Sequence, residues 1–105
     1  LAERRVGRGR ALYLATFAEE RFYDEWLPGV FEAAGVRRIL RGGVPPAVEV
    51  TERSALDGRR LIFLMNASAE PQRVTLDAPM EDVWSGERVA GTAELGPHGV
   101  RVLRA

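Results

Sequence analysis

Residues 47–66, AVEVTERSALDGRRLIFLMN, carry the pattern that decides the fold. Polar and apolar residues alternate in the first part, with Val48 and Val50 on one side, which is typical of a half-buried strand. The run LIFLMN is apolar on both faces, which is typical of a central strand. Between them, LDGRR contains an Asp-Gly turn signal, so the two strands are predicted to form a hairpin.

The C-terminal part of the chain continues in short strands. The runs QRVTLD, MEDVW, RVAGTAEL and GVRVLR are separated by segments such as SGE and GPHG. Closely spaced short strands punctuated by Gly and Pro predict an antiparallel β domain, a small sandwich, over residues 47–105. We expect six apolar side chains in its core: Val50, Phe63, Val74, Leu76, Val100 and Val102.

In the N-terminal part of the chain, residues 1–41, the apolar residues recur with a different spacing. RALYLAT is predicted to form one strand. After it, Phe22, Trp26 and Val30 recur every four residues, with Phe31 beside them, which indicates a broad apolar face on a helix of residues 17–34.

Local signals predict how this helix begins, bends and ends. Thr16 and Glu19 have the spacing of a capping box. Pro28 predicts a kink or a break into two short helices, and Gly35 is placed to end the helix. Residues 42–46, within RGGVPP, are predicted to be a linker. The predicted fold class is α+β, mainly β: an antiparallel sandwich preceded by one strand and a kinked helix.

Composition excludes several classes of function. Fifteen basic residues balance fifteen acidic ones, whereas a nucleic-acid-binding protein normally carries a basic excess. There is no cysteine and only one histidine, so we expect no metal and no cofactor. No apolar run approaches the length of about 20 residues that spans a bilayer, and no signal peptide is visible, so we expect a cytoplasmic location and no membrane partner. The first residue is leucine and not methionine, which suggests a fragment, a processed product or missing leading residues.

The titratable candidates for catalysis have plain structural explanations. His98 lies between Pro97 and Gly99 without a neighbouring Ser, Cys or second His, so we interpret it as a turn residue leading into an edge strand. Two carboxylates can carry out glycoside hydrolysis. Glu81 and Asp82, however, should point to opposite faces of a strand because they are adjacent.

Glu49 and Glu52 lie on a strand that looks exposed, and we expect all four of these carboxylates to be solvated. Asn66 begins an Asn-Ala-Ser glycosylation sequon, but we expect its side chain to bind the turn backbone instead. The Gly-x-Gly of GRGRAL precedes its strand, which favours a turn over a nucleotide site. Trp84 and Trp26 are expected to pack in the core or an interface, with Trp84 kept as the candidate sugar contact.

Three segments, in this order, resemble the C-terminal region of family 42 glycoside hydrolases, the bacterial β-galactosidases. GRGRALYLAT followed by EERFYDEWLPGVFEAAGV resembles the end of that family's flavodoxin-like trimerisation domain. VEVTERSALDGRRLIFLMNASAEPQRVTL and DVWSGERVAGTAELGPHGVRVL resemble the start and the close of its C-terminal β domain. The resemblance implies a parent enzyme with a catalytic (β/α)₈ barrel, an acid/base glutamate after an asparagine, and a nucleophilic glutamate. Neither glutamate can be assigned here, because Ala67 follows the only asparagine and the barrel is absent from this sequence.

This resemblance implies a non-catalytic chain with a structural or assembly role, whose parent reaction is the hydrolysis of β-D-galactosides. One alternative is a carbohydrate-binding accessory module, and another is an autonomous hydrolase using Glu or Asp. The helix should expose Phe22, Trp26, Val30 and Phe31, because a single strand cannot cover them. We therefore expect a homo-oligomer, most simply a dimer, with these four side chains at the interface, or association with a barrel-bearing hydrolase chain.

Overall fold

The computed structural model describes all 105 residues of the chain. Their contacts form two compact units, Leu1–Arg37 and Arg38–Ala105. The elements in chain order are β1 (Ala2–Val6), β2 (Gly9–Tyr13), α1 (Glu20–Ala33), β3 (Val48–Ser54), β4 (Arg60–Asn66), β5 (Gln72–Thr75), β6 (Met80–Asp82), β7 (Arg88–Val89), β8 (Thr92–Leu95) and β9 (Val100–Arg104). The chain is mainly β with one helix, which confirms the predicted fold class.

The first unit begins with a hairpin where we predicted one strand. β1 and β2 pair antiparallel, and Val6 lies opposite Gly9, so only two residues make the turn. Gly7 has a φ of 58°, and glycine at the first turn position is the pattern of a type II′ hairpin. The Gly-x-Gly is therefore a turn, as expected. The sequence of β1 gave no strand signal because every one of its side chains is exposed.

Helix α1 starts later than predicted, and without the predicted capping box. The residue before its first turn is Glu19, which has an extended backbone and makes no side-chain cap. Thr16 instead donates its hydroxyl to the carbonyl oxygen of Phe17, at 3.4 Å. The N–H of Ala18 is bound by the Tyr23 hydroxyl oxygen, at 3.2 Å. The capping box is wrong because Thr16 lies too far ahead of the helix to reach its amides.

Helix α1 ends just ahead of Gly35, as predicted, but it is not broken at Pro28. The helix continues through Pro28, so the predicted break into two helices is wrong; proline here removes one intrahelical hydrogen bond without ending the helix. At the C-terminus, Gly35 has a φ of 70° and donates to Glu32 O, at 3.0 Å. Val36 donates to Phe31 O, at 2.9 Å. This pair of bonds is a Schellman motif, with glycine at the position that requires a positive φ.

The second unit is an antiparallel sandwich. Five strands form one sheet in the order β3-β4-β9-β6-β7, and β5 pairs with β8 in a two-stranded sheet. All of these pairs are antiparallel. The core lies between the sheets, where Ile62, Leu64 and Leu103 join Val74, Ala93 and Leu95 in one buried cluster.

Half of the predicted core residues lie in this cluster or pack against it. Val74 and Leu76 are buried in it, and Val50 packs against it partly buried. Phe63, Val102 and Val100 occupy the other face of the five-stranded sheet, which we call the outer face. Phe63 lies opposite Val102 on this face. The neighbouring pair along the two strands, Ile62 and Leu103, points to the inner face and is buried.

Placing Phe63 and Val100 in the core is therefore wrong. Val100 is 48% exposed, Phe63 is half-buried, and Val102 is buried outside the main cluster. The error arises because LIFLMN and GVRVLR are apolar at consecutive positions, so alternation cannot tell which face is inner.

The segment ahead of β3 packs on the β unit. Leu40 is buried in its core, with Ile39 and Val44 partly buried against it. The N–H of Arg41 donates to both carboxylate oxygens of Asp77, at 3.0 and 3.2 Å. The boundary between the two compact units therefore lies after Arg37, ahead of the predicted linker of residues 42–46.

Candidate functional site

His98 stands at the centre of a tight turn. The N–H of Gly99 donates to Gly96 O at 2.9 Å, and His98 has a φ of 51°, the only positive φ outside glycine. Proline followed by a positive φ is the pattern of a type II turn. The N–H of His98 donates to Ser68 O, at 2.9 Å, and its ring is exposed. The turn interpretation is confirmed, but the edge strand is wrong, because the following strand β9 lies in the middle of its sheet.

Asn66 ties this turn to the end of β4. Its side-chain nitrogen donates to Glu70 O at 2.7 Å and to Gly96 O at 2.9 Å. Its side-chain oxygen accepts from the N–H and the hydroxyl of Ser68, at 2.9 and 2.8 Å. The residue is only 4% exposed. Because its amide is buried and its hydrogen bonds are satisfied, Asn66 is a structural residue, as predicted, and offers no free amide to a glycan.

The adjacent carboxylates Glu81 and Asp82 point to opposite faces, as expected. Glu81 forms an exposed ion pair with Arg104, at 3.3 Å. The side chain of Asp82 is only 8% exposed and accepts a 3.0 Å hydrogen bond from Nε of Arg101. Glu81 is thus solvated, whereas the solvated environment expected for Asp82 is wrong.

The environment of Asp82 opposes a role as a general acid. Its Oδ1 accepts the backbone N–H groups of Ser85 and Trp84, each at 3.0 Å. The Ser85 hydrogen bond is the largest cause that holds the pKa of Asp82 below its usual value. Arg101 and the Trp84 N–H act in the same direction, while desolvation opposes them. A glycosidase general acid needs a raised pKa, whereas the lowered pKa of Asp82 favours its ionised form.

Glu52 is also less solvated than predicted. Its side chain is 13% exposed and pairs with Arg60 through two bonds, Nη2 to Oε2 at 2.8 Å and Nε to Oε1 at 3.2 Å. This hydrogen bond is the largest cause that raises the pKa of the Arg60 guanidinium. Glu52 lies at an even number of residues from Val48 and Val50, so the strand alternation alone could have predicted that its side chain is on the inner face. Glu49 lies at an odd number of residues from them and is exposed, as expected.

Trp84 does not lie in the core. It is 69% exposed, in the loop between β6 and β7. The loop is held by Asp82, which binds the Trp84 N–H through its side chain and the N–H of Gly86 through its carbonyl, at 2.8 Å. The expectation of core packing is therefore wrong for this residue, and an exposed indole on a fixed loop remains.

Helix α1 carries an apolar face whose side chains are not buried. None of its residues is buried. Phe22 and Phe31 are exposed, while Trp26 and Val30 are partly exposed. The rings of Phe22 and Trp26 stack with their centroids 5.5 Å apart. These four residues form a surface that we call the helix face.

No group of three or more His, Cys, Asp or Glu side chains is placed to hold a metal ion. The single helix, α1, is neither long nor apolar enough to cross a membrane.

Comparison with known proteins relates this chain to the β-galactosidases. Residues 47–105 match the family model of the β-galactosidase C-terminal domain. The β-galactosidase BgaP of Planococcus sp. (strain L4) is 35% identical over 98 residues, covering 92% of this chain. BglY, a β-galactosidase of Alicyclobacillus acidocaldarius, is 33% identical over 100 residues, covering 94% of this chain. In both cases the chain spans only 14% of the relative's length.

Solved structures agree with this relationship. A catalytic mutant of Gan42B, a GH42 β-galactosidase from G. stearothermophilus, superimposes with a TM-score of 0.85 at 27% identity. The β-galactosidase of Bacillus circulans sp. alkalophilus gives 0.85 at 28% identity. Each comparison covers 97% of this chain and 15% of the other. Because the family model matches more than half of the chain, this chain belongs to the β-galactosidase C-terminal domain family of GH42 enzymes.

Proposed function

We propose that this chain is a non-catalytic C-terminal portion of a β-galactosidase-like glycoside hydrolase and serves packing and assembly. The parent reaction is the hydrolysis of β-D-galactosides, as in the relatives named above. The observation that carries the assembly role is the helix face, where large apolar side chains remain uncovered on a helix without a buried residue.

The chemistry of the acidic residues supports the absence of catalysis. The two most buried carboxylates considered for catalysis, Glu52 and Asp82, are engaged by Arg60 and Arg101. An arginine partner stabilises the ionised carboxylate, which opposes proton donation to a leaving group. The only asparagine, Asn66, has both amide hydrogens committed to backbone carbonyls and is followed by Ala67. The Asn-Glu pair implied by the family resemblance therefore has no counterpart in this chain.

The helix face supplies the driving force for assembly. A large apolar side chain gains roughly 1.5–3 kcal/mol when it is fully removed from water. All four side chains of the helix face are already partly covered, with Phe22 37% and Phe31 49% exposed, so each gains only part of this energy and Phe31 contributes most per ring. An isologous contact between two copies of the helix would cover both of these rings in each copy. The partner is thus a second copy of this chain, or a barrel-bearing hydrolase chain.

Light scattering over a concentration series tests the assembly role. We expect the wild-type mass to rise from monomer towards dimer, and Phe31→Ser to shift this rise to higher concentration. Leu56→Ser is the matched control, because Leu56 is a fully exposed apolar residue outside the helix, in the turn between β3 and β4. A wild-type monomer at every concentration that also fails to bind a barrel-bearing hydrolase chain would contradict the assembly role.

A second candidate function rests on the exposure of Trp84. A 69% exposed indole on a loop held by hydrogen bonds can stack on a pyranose ring, which is how carbohydrate-binding modules use aromatic side chains. Calorimetric titration with galactose and lactose tests this candidate. Heat of binding that Trp84→Ala removes would support it, and the absence of heat from the wild type would reject it.

A further inference from the structure

Arginines converge at one end of the outer face of the five-stranded sheet. Arg53 on β3 and Arg104 on β9 both lie opposite Leu61 on β4, so the three residues form one row on the same face. Neighbouring strands are about 4.8 Å apart, so the two arginine backbones are about 10 Å apart across Leu61. Both arginines therefore flank the leucine on the outer face, and the Arg104 guanidinium pairs with Glu81 on β6, at 3.3 Å.

A third arginine reaches the same place from the β3–β4 turn. Asp57 accepts the N–H of Arg59 at 3.1 Å and its side-chain Nε at 2.7 Å. The aspartate therefore fixes the direction of the Arg59 side chain and leaves both of its terminal NH₂ groups free of protein partners. A cavity of about 290 Å³ opens between these elements, lined by Arg53, Ser54, Ala55, Arg59, Leu61 and Arg104.

The charges around this cavity are incompletely balanced. Arg59 pairs with Asp57 and Arg104 with Glu81, both at the exposed surface. Arg53 has no carboxylate partner, since its guanidinium donates only to the backbone oxygen of Glu52, at 3.0 Å. Three arginines therefore line the cavity beside two paired carboxylates, and the charge of Arg53 stays uncompensated, so that a bound anion would neutralise it.

We propose that this arginine cavity binds a carboxylate carried on an apolar body. The guanidinium groups of Arg53 and Arg59 supply N–H donors to the carboxylate, with the planar geometry that permits bidentate pairing, and Arg104 adds positive charge to the wall. Leu61 and Ala55 form an apolar part of the wall and contact the body of the ligand. The cavity lies at the lower end of the size range of ligand pockets, which suits a small group. The carboxylate belongs to a free organic acid or to an acidic side chain of a partner protein.

NMR of the complete 105-residue chain tests this site through the arginine Nε–H signals. The probe is sodium benzoate, with sodium acetate as a carboxylate lacking the apolar body. We expect saturable shifts of the Arg53 and Arg59 signals with benzoate and weaker binding of acetate. Arg53→Gln should weaken benzoate binding roughly tenfold, as expected for the loss of one charged hydrogen-bonding partner.

Arg73→Gln is the matched control. Arg73 is an exposed arginine that pairs with Glu94 on the other sheet, so its replacement should leave benzoate binding unchanged. The proposal is overturned if the wild type shows no saturable shift, or if Arg53→Gln and Arg73→Gln weaken binding equally. Binding of inorganic phosphate as tight as that of benzoate would overturn the inference that the ligand carries an apolar body.

A second titration distinguishes the two sources of the carboxylate. The blocked dipeptide acetyl-Glu-Phe-amide carries its only carboxylate on a glutamate side chain beside an apolar residue. Tighter binding of benzoate supports a free organic acid, and tighter binding of the peptide supports an acidic side chain of a partner. A helix-face variant that stays monomeric should bind benzoate unchanged, so this site and the assembly role can fail separately.

Discussion

Replacing Asp82 by asparagine should weaken the β unit by removing one charged contact while preserving the shape of the side chain. The oxygen that accepts the N–H groups of Trp84 and Ser85 is retained. The oxygen that accepts from Nε of Arg101 becomes an NH₂ group, so two donors face each other where a 3.0 Å hydrogen bond existed. The change thus removes the ion pair between β6 and β9, and it also weakens the hydrogen bonds from Trp84 and Ser85, which then reach a neutral amide oxygen.

The expected cost follows from the burial of the two partners. A hydrogen bond to a charged group contributes about 1.5–3 kcal/mol. Arg101 is 22% exposed and lies 4.0 Å from Glu87, so water and this second carboxylate recover part of its lost interaction. We therefore expect the free energy of unfolding to fall by about 2 kcal/mol at neutral pH.

Urea unfolding followed by tryptophan fluorescence measures this loss. A Trp26→Phe background leaves Trp84, next to the substituted residue, as the only reporter. The control is Glu94→Gln, which removes the exposed Arg73–Glu94 pair and should cost less than about 1 kcal/mol. Equal stability of Asp82→Asn and the parent protein at neutral pH would refute the reasoning.

The same pair of proteins should differ in their response to acid. The pKa of Asp82 is lowered in the folded protein, so the unfolded chain takes up this proton first as the pH falls. The stabilisation is complete above the unfolded pKa of about 4 and is lost as the pH falls through the folded pKa below it. The stability difference between parent and Asp82→Asn should therefore shrink below about pH 4. A difference that stays constant down to the acid transition would contradict this assignment.

Three further predictions concern the packing and the turns of the β unit. Leu64→Ala, in the core, should cost about 2–5 kcal/mol in urea unfolding, and half-buried Phe63→Ala clearly less; the reverse order would mean that the two faces of β4 are misassigned. Asn66→Ala should cost about 2–3 kcal/mol in the same assay, because it removes the partner of two loop carbonyls; a loss below about 0.5 kcal/mol would show that these bonds are dispensable. His98→Gly should raise the melting temperature slightly, because glycine adopts the positive φ without strain, and a lower melting temperature would point to a structural role of the imidazole.

Elements with a clear period could be predicted from the sequence. The alternation before the Asp-Gly turn placed the β3–β4 hairpin, and the spacing of Phe22, Trp26 and Val30 placed α1. Gly35 marked the helix end because the Schellman motif needs a positive φ there. β1 could not be predicted, because its exposed side chains leave no pattern and its strand depends on backbone pairing with β2.

The misplaced side chains share one physical cause. Phe63 and Ile62 are both large and apolar, so the register with β9, a long-range property, decides which of them enters the core. Glu52 and Asp82 are charged, so composition alone suggested exposure, but each lies on the inner face beside an arginine from elsewhere in the chain. The arginine cavity could not be predicted for the same reason, because Arg53 and Arg104 come to lie on either side of Leu61 only when β4 pairs with both of their strands.

Hydrolysis of a chromogenic β-galactoside by the purified chain tests the central claim most directly. The account predicts no turnover above the buffer rate, because the buried carboxylates are bound by arginines and the Asn-Glu pair is absent. Reproducible hydrolysis that a single carboxylate substitution such as Glu52→Gln abolishes would contradict the account, and would make this chain an enzyme in its own right.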